Sequence, residues 1–104
     1  MAVEVHVTGR IETGRFSEFT QAMKRWAQYR AEMGDAGAHV LQGLSGQMNH
    51  VRIVFTYADL AVYEREEARD ALDPDYAQVA GTMPFVDGTI QYEIYRVLEE
   101  PDAL

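Results

Sequence analysis

Three residues at alternating positions of strand-like segments carry the first chemical possibility. His6 lies in the run Val3-Glu4-Val5-His6-Val7-Thr8, where valine recurs at every second position and His6 falls on the polar side. Glu93 and Gln91 hold polar positions in the last strand-like segment. If that segment pairs beside the first, one of them lies within reach of the imidazole. A histidine held by a carboxylate suits general acid–base work near neutral pH. Arg52, polar in the run His50-Val51-Arg52-Ile53-Val54-Phe55-Thr56-Tyr57, falls on the same face and suits a carboxylate or enolate oxygen. The same side chains also suit plain ion pairing, His6 with Glu93 and Arg52 with Glu4 or Glu93. His39 and His50 flank a hairpin and are expected across from each other on adjacent strands. Two histidines begin a metal site, but no third ligand stands near them in the sequence, so neither a metal nor a cofactor is expected.

A second group is aromatic. Trp26, Tyr29, Tyr57, Tyr63, Tyr76, Phe85 and Tyr92 are expected between helices and sheet. An apolar pocket with a few polar tips suits a flat hydrophobic ligand, although the same residues also suit an ordinary core. Tyr95, on the polar face, joins them as a substrate contact, and Tyr63 is the phenol suited to hold developing negative charge. Met23, Met33, Met48 and Met83 would make such a pocket adaptable, or fill core gaps. The chain has no Gly-rich phosphate loop, no Gly-x-Ser-x-Gly and no His-Glu-x-x-His.

The elements that must position these residues follow from periodicity. Val3, Val5 and Val7 mark the first strand. Thr13 is expected to cap a helix in which Phe16, Phe19, Met23, Trp26 and Met33 recur mostly at three- and four-residue steps, and Gly34 ends it. A weaker strand spans 39–44, a turn follows, and 50–57 is the clearest strand. Asp59 caps a second helix ending near Leu72, and Asp73-Pro74 opens a short third helix closed by Gly81. The last strand covers 89–98. The order β-α-β-β-α-(α)-β describes an α+β, ferredoxin-like domain over residues 1–98, with an antiparallel sheet and its helices on one face. Residues 99–104 form an acidic tail. The Glu64-to-Asp70 run is a solvated helix face.

Bulk properties narrow the function. The 104 residues suffice for one domain, and the net charge of −8 disfavours both nucleic acid and anionic membranes as partners. The absence of cysteine excludes disulfides, thiolate metal sites and cysteine nucleophiles. The N-terminus reads as a strand and no apolar run approaches a membrane span, so a cytoplasmic protein is expected. Helices shield one face of the sheet only, with Val3, Val5, Val7, Val51, Ile53, Phe55, Ile90, Tyr92 and Ile94 beneath them. The reverse face is too polar for a dry core and too rich in Val, Thr and Tyr for plain solvent. A homodimer is therefore expected.

The stretch Val51-Arg52-Ile53-Val54-Phe55-Thr56-Tyr57-Ala58-Asp59-Leu60-Ala61-Val62-Tyr63-Glu64-Arg65 resembles the third strand and second helix of NIPSNAP-like proteins. Gly14-Arg15-Phe16-Ser17-Glu18-Phe19 resembles their Gly-Lys-Leu-x-Glu-Phe helix start, and Asp73-Pro74-Asp75-Tyr76 their later Asp-x-aromatic step. The resemblance implies the dimeric α/β-barrel superfamily, which also holds antibiotic-biosynthesis-type cofactor-free monooxygenases, haem-degrading enzymes, isomerases and decarboxylases. The haem-degrading pattern places a histidine on the second helix, and 60–72 contains none. The monooxygenase pattern groups an Asn, a Trp and a Tyr. The single Asn, Asn49, lies in a turn here and the single Trp lies on the first helix, so those roles are not carried over. The resulting expectation is a cofactor-independent tailoring enzyme of monooxygenase, cyclase or isomerase type acting on a hydrophobic or aromatic metabolite. The alternative is a non-catalytic ligand-binding or accessory protein.

Overall fold

The computed structural model describes residues 1–98. Strand β1 (Val3–Arg10) is followed by α1 (Phe16–Glu32), β2 (Ala38–Gln42), β3 (His50–Tyr57), α2 (Leu60–Asp70), α3 (Pro74–Ala80) and β4 (Gln91–Arg96). The sheet order is β2-β3-β1-β4, and every pairing is antiparallel. This is the expected α+β ferredoxin-like arrangement. The period of two in β1 and β3 sends Val3, Val5, Val7, Val51, Ile53, Phe55 and Tyr57 to the helix side, where they are buried with Ile11, Phe19 and Trp26. Burial of these side chains supplies the main driving force, about 1.5–3 kcal/mol for each large one.

The helix ends follow local chemistry. Gly34 adopts a left-handed φ of 75° after α1. Its N–H bonds Ala31 O at 3.1 Å, and the Asp35 N–H bonds Arg30 O at 2.9 Å. This paired closure satisfies the last carbonyls and folds Asp35 back towards Arg30. Asp59 caps α2 by accepting from the Val62 N–H at 2.9 Å. Asp59→Ala is expected to cost about 1 kcal/mol, read as a lower urea midpoint at unchanged slope. Asp73 caps α3, with Pro74 in its first turn.

Several expectations need correction. Thr13 does not cap α1. Arg15 holds the N-cap position with no side-chain cap hydrogen bond, and its guanidinium instead reaches Glu12 and Glu18. Strands β2 and β4 are shorter than the segments 39–44 and 89–98. Ile90, Tyr92 and Ile94 are not covered by the helices. Tyr92 and Ile94 pair with Val7 and Val5 and so share the helix-side face, yet Tyr92 is 63% and Ile94 51% exposed. The reason is positional: β4 is an edge strand, outside the inner strands β1 and β3 that the helices shield. His39 and His50 do not face each other. His39 pairs with Val54, four positions from His50, which is roughly 13 Å along the strand. The acidic tail 99–104 lies outside the described residues.

Candidate functional site

The register sets out the polar face residue by residue. His6 stands between Glu93 on β4 and Val54 on β3, and Val54 pairs in turn with His39 on β2. Arg52 Nη1 lies 2.8 Å from His6 Nδ1, and His6 Nε2 lies 2.9 Å from Glu4 Oε1. A guanidinium only donates, so Nδ1 must accept, and the neutral ring then carries its proton on Nε2 and gives it to Glu4. Both ring nitrogens are thereby engaged. Arg52 Nη1 is 3.9 Å from Glu93 Oε1, and the Tyr95 hydroxyl donates to Glu93. The Tyr95 and His6 rings lie 4.6 Å apart. His6, Arg52, Glu93 and Tyr95 thus form one cluster, with Glu4 as a fifth member.

The aromatic residues gather on the opposite side of the sheet. Trp26 packs on Phe55 and edge-on to Tyr76, while Tyr57 packs on Tyr63. Tyr63, Glu67, Asp70, Ala71, Tyr76 and Tyr92 wall a groove of about 470 Å³ between α2, α3 and β4. A narrow inner hollow joins these walls to Trp26, Arg30, Phe55 and Tyr57. Next to it, a hollow of about 260 Å³ is lined by Trp26, Tyr76, Met83, Phe85, Ile90 and Tyr92, among others. Tyr29, expected as a ligand contact, lines none of these hollows and instead supports Tyr76 from behind. Its ring lies 5.9 Å from Tyr76, and its hydroxyl donates to Asp73 at 2.7 Å with Asp70 at 3.2 Å. The uncovered face of β4 is what leaves this groove open.

Burial pushes the phenols of Tyr29, Tyr57, Tyr63 and Tyr76 above their ordinary range, and Asp73 and Asp70 push Tyr29 further. The folded chain then keeps protons that the unfolded chain releases near pH 10. The stability these groups contribute is whole below pH 10 and is lost as pH rises through their folded values. Ultraviolet titration of phenolate is therefore expected to lag free tyrosine until the chain unfolds. Ordinary titration of all six tyrosines before unfolding would contradict this.

The sequence reading missed a charge network beside the groove. Arg69 bonds Asp35 through both terminal nitrogens, at 3.1 and 2.6 Å, and also reaches Asp70. Arg30, 4% exposed, stacks over Phe55 at 4.7 Å and donates from Nε to Ala36 O at 2.8 Å. Its carboxylate neighbours are more distant, with Asp35 at 4.0 Å and Glu66 at 3.9 Å. Arginine at position 30 falls next to Tyr29 on the buried stripe of α1. That placement was the available signal, since a charged residue on an apolar stripe needs partners.

The sheet divides the proposed residues. His6, Arg52, Glu93 and Tyr95 are together on one face, whereas Tyr63, Trp26, Tyr57, Tyr76 and Tyr92 are together on the other. Phe85 joins the second group at the outer hollow. Val5 and Val7 lie between the groups, so one small ligand does not touch both His6 and Tyr63. Among the described residues, no group of three or more His, Cys, Asp or Glu is arranged to hold a metal ion, and no helix is long and apolar enough to cross a membrane.

No protein-family model matches the chain, and no curated protein is similar to it in sequence. Solved structures do match. A NIPSNAP family protein from Agrobacterium tumefaciens superposes with a TM-score of 0.74 at 15% identity, over 95% of each chain. A NIPSNAP-like domain protein from Burkholderia xenovorans gives 0.74 at 19% identity, over 93% of this chain and 85% of that one. A candidate antibiotic biosynthesis monooxygenase from Deinococcus radiodurans gives 0.67 at 18% identity, over 94% of each. The chain therefore has the ferredoxin-like α+β fold that these NIPSNAP proteins and this monooxygenase-like protein share.

Proposed function

We propose that this chain works as a homodimer on a hydrophobic or aromatic small molecule, without a resident cofactor, and that the ligand lies on the helix side of the sheet. The observation that carries the reading is the convergence of Trp26, Tyr57, Tyr63, Tyr76 and Tyr92 around one inner hollow that joins an open groove. Phenols held neutral by burial donate hydrogen bonds to a carbonyl or enolate oxygen of the ligand. Glu67, on the same wall, takes a proton from the adjacent carbon and returns it elsewhere, the chemistry of an isomerase or cyclase. A monooxygenase of the cofactor-free kind would use the same enolate.

The polar face serves the dimer in this reading. Val54, His39, Leu41 and Tyr95 flank the His6–Arg52–Glu93 cluster and meet the same face of a second copy. The directional hydrogen bonds of the cluster fix the register between the two sheets. One observation favours a second reading, a ligand-binding protein without turnover. His6, the imidazole best suited to be a base, has both nitrogens engaged and faces away from the groove.

Native mass spectrometry tests the proposal. The expected result is the mass of two chains with a co-purified small molecule, and Tyr76→Ala abolishes the adduct. Val54→Glu puts a charge at the centre of the polar face, between His6 and His39, and is expected to give the single-chain mass. A single-chain mass for the unsubstituted protein, or an adduct indifferent to Tyr76, sinks the corresponding half. Loss of turnover in Glu67→Gln with binding retained would separate the catalytic reading from the binding one.

A further inference from the structure

The groove between α2, α3 and β4 lies in an excess of negative charge. Helix α2 turns Tyr63, Glu67 and Asp70 towards it, at steps of four and three residues. The residues three and four positions from Glu67 are Tyr63, Glu64, Asp70 and Ala71, so its own helix offers it no cation. The two nearby guanidiniums are committed elsewhere. Arg69 bonds Asp35 and Asp70, and Arg30 stacks over Phe55 with Asp35 and Glu66 as its carboxylate neighbours. Among the described residues, Glu67 has no ion-pair partner. Asp73 joins Asp70 through the Tyr29 hydroxyl. Asp35, Glu66, Glu67, Asp70 and Asp73 thus outnumber Arg30 and Arg69 by three charges. Burial favours the protonated form of Glu66, and an excess remains without it.

Aromatic rings supply the other walls. Tyr63, Tyr76 and Tyr92 line the same groove as Glu67. Burial first, and after it charges that include Glu67, raise all three phenols, so one carboxylate acts on three hydroxyls. An organic cation among tyrosine rings gains from their negative faces as well as from a carboxylate. Tyr76 and Tyr92 also wall the adjoining hollow of about 260 Å³, where Met83, Phe85 and Ile90 face them. The two spaces together suit one elongated molecule, charged at one end and apolar at the other.

We propose that the groove takes an organic cation with an aromatic or hydrocarbon body, its ammonium group among Tyr63, Tyr76, Tyr92 and Glu67 and its body against Met83, Phe85 and Ile90. This rests on the reading that the groove holds a small molecule, and adds the sign of the ligand's charge. The same carboxylates repel an anion. A neutral ligand covers Glu67 without giving it a partner, which costs the hydration that it displaces. A bare metal ion leaves the aromatic walls without a contact. An ammonium beside Glu67 also keeps that carboxylate ionised, the form that takes a proton.

The test uses the whole chain with phenethylamine, phenethyl alcohol and hydrocinnamate, which share a skeleton and differ in charge. Trp26 is the sole tryptophan and lines the adjoining hollow, so its fluorescence reads occupancy. The amine is expected to bind about tenfold tighter than the alcohol, and hydrocinnamate weakest. Glu67 and Tyr92 are exposed, so their substitution spares the core. Glu67→Gln is expected to cut the preference for the amine about threefold or more while leaving the affinity of the alcohol unchanged. Tyr92→Leu is expected to lower the affinity of the amine more than that of the alcohol. Glu18→Gln, a remote change of equal charge, is expected to leave the preference intact. Equal binding of all three probes overturns the charge assignment alone, and so does a preference that Glu67→Gln leaves unchanged or that Glu18→Gln lowers as much. Binding of none overturns the ligand groove itself.

Discussion

Asp35→Ala is expected to destabilise the chain by about 3–5 kcal/mol, the range for breaking a buried ion pair by removing one partner. The Asp35 side chain is 4% exposed and receives both terminal nitrogens of Arg69. It is also one of the two carboxylates within 4.0 Å of the buried Arg30, the other being Glu66. Removing it leaves a fully buried guanidinium with one poor counter-ion and frees Arg69 from its best contact. Domains of this size have a total stability of about 5–15 kcal/mol, so the change takes a large share of it. The melting temperature should fall by at least roughly 12 °C. Asp35→Asn retains one acceptor and should lose less. Arg69→Ala should also lose less, because Arg69 is partly exposed and water can replace some of its contacts. A urea midpoint for Asp35→Ala within error of the parent would show that the network contributes nothing net.

The second large effect is expected at Trp26, where two substitutions should separate packing from hydrogen bonding. The indole packs on Phe55 and Tyr76 and lines both the inner hollow and the hollow of about 260 Å³ beside it. Trp26→Ala removes that packing and merges the hollows, at a cost of about 3–5 kcal/mol. The Trp26 Nε1 atom, however, is buried and without a hydrogen-bond partner among the described residues. Trp26→Phe keeps most of the aromatic contact and deletes the unpaired donor, so its cost should stay below about 1.5 kcal/mol. Chemical denaturation of both variants checks the difference. A Trp26→Phe loss as large as that of Trp26→Ala would show that the indole nitrogen makes a contact of real value, for example to a bound ligand in the groove.

The same geometry explains why the two candidate chemistries separate. A strand alternates its side chains between faces, so His6 and Val7 cannot serve one pocket however close they are in sequence. The aromatic set belongs to the Val7 side and the imidazole to the other. Any mechanism that needs His6 together with Tyr63 requires a ligand reaching around the sheet edge.

The sequence by itself determined the element order and the sides. Alternation at Val3, Val5 and Val7 and again at Val51, Ile53 and Phe55 assigns faces, since the side-chain period of a strand is two. Asp59, Pro74 and Gly34 place helix ends because caps and left-handed closures are local hydrogen-bond chemistry. Tertiary structure alone decided the rest. The exposure of Tyr92 and Ile94 depends on how far the helices reach across the sheet, which no periodicity records. The separation of His39 from His50 depends on a register that one residue of slippage would change. The pairing of Asp35 with Arg69, 34 positions apart, and the orphaned nitrogen of Arg30 arise only when α1 and α2 pack together on the sheet. Faces and caps are set by neighbours along the chain. Coverage, register and buried charge are set by neighbours in space.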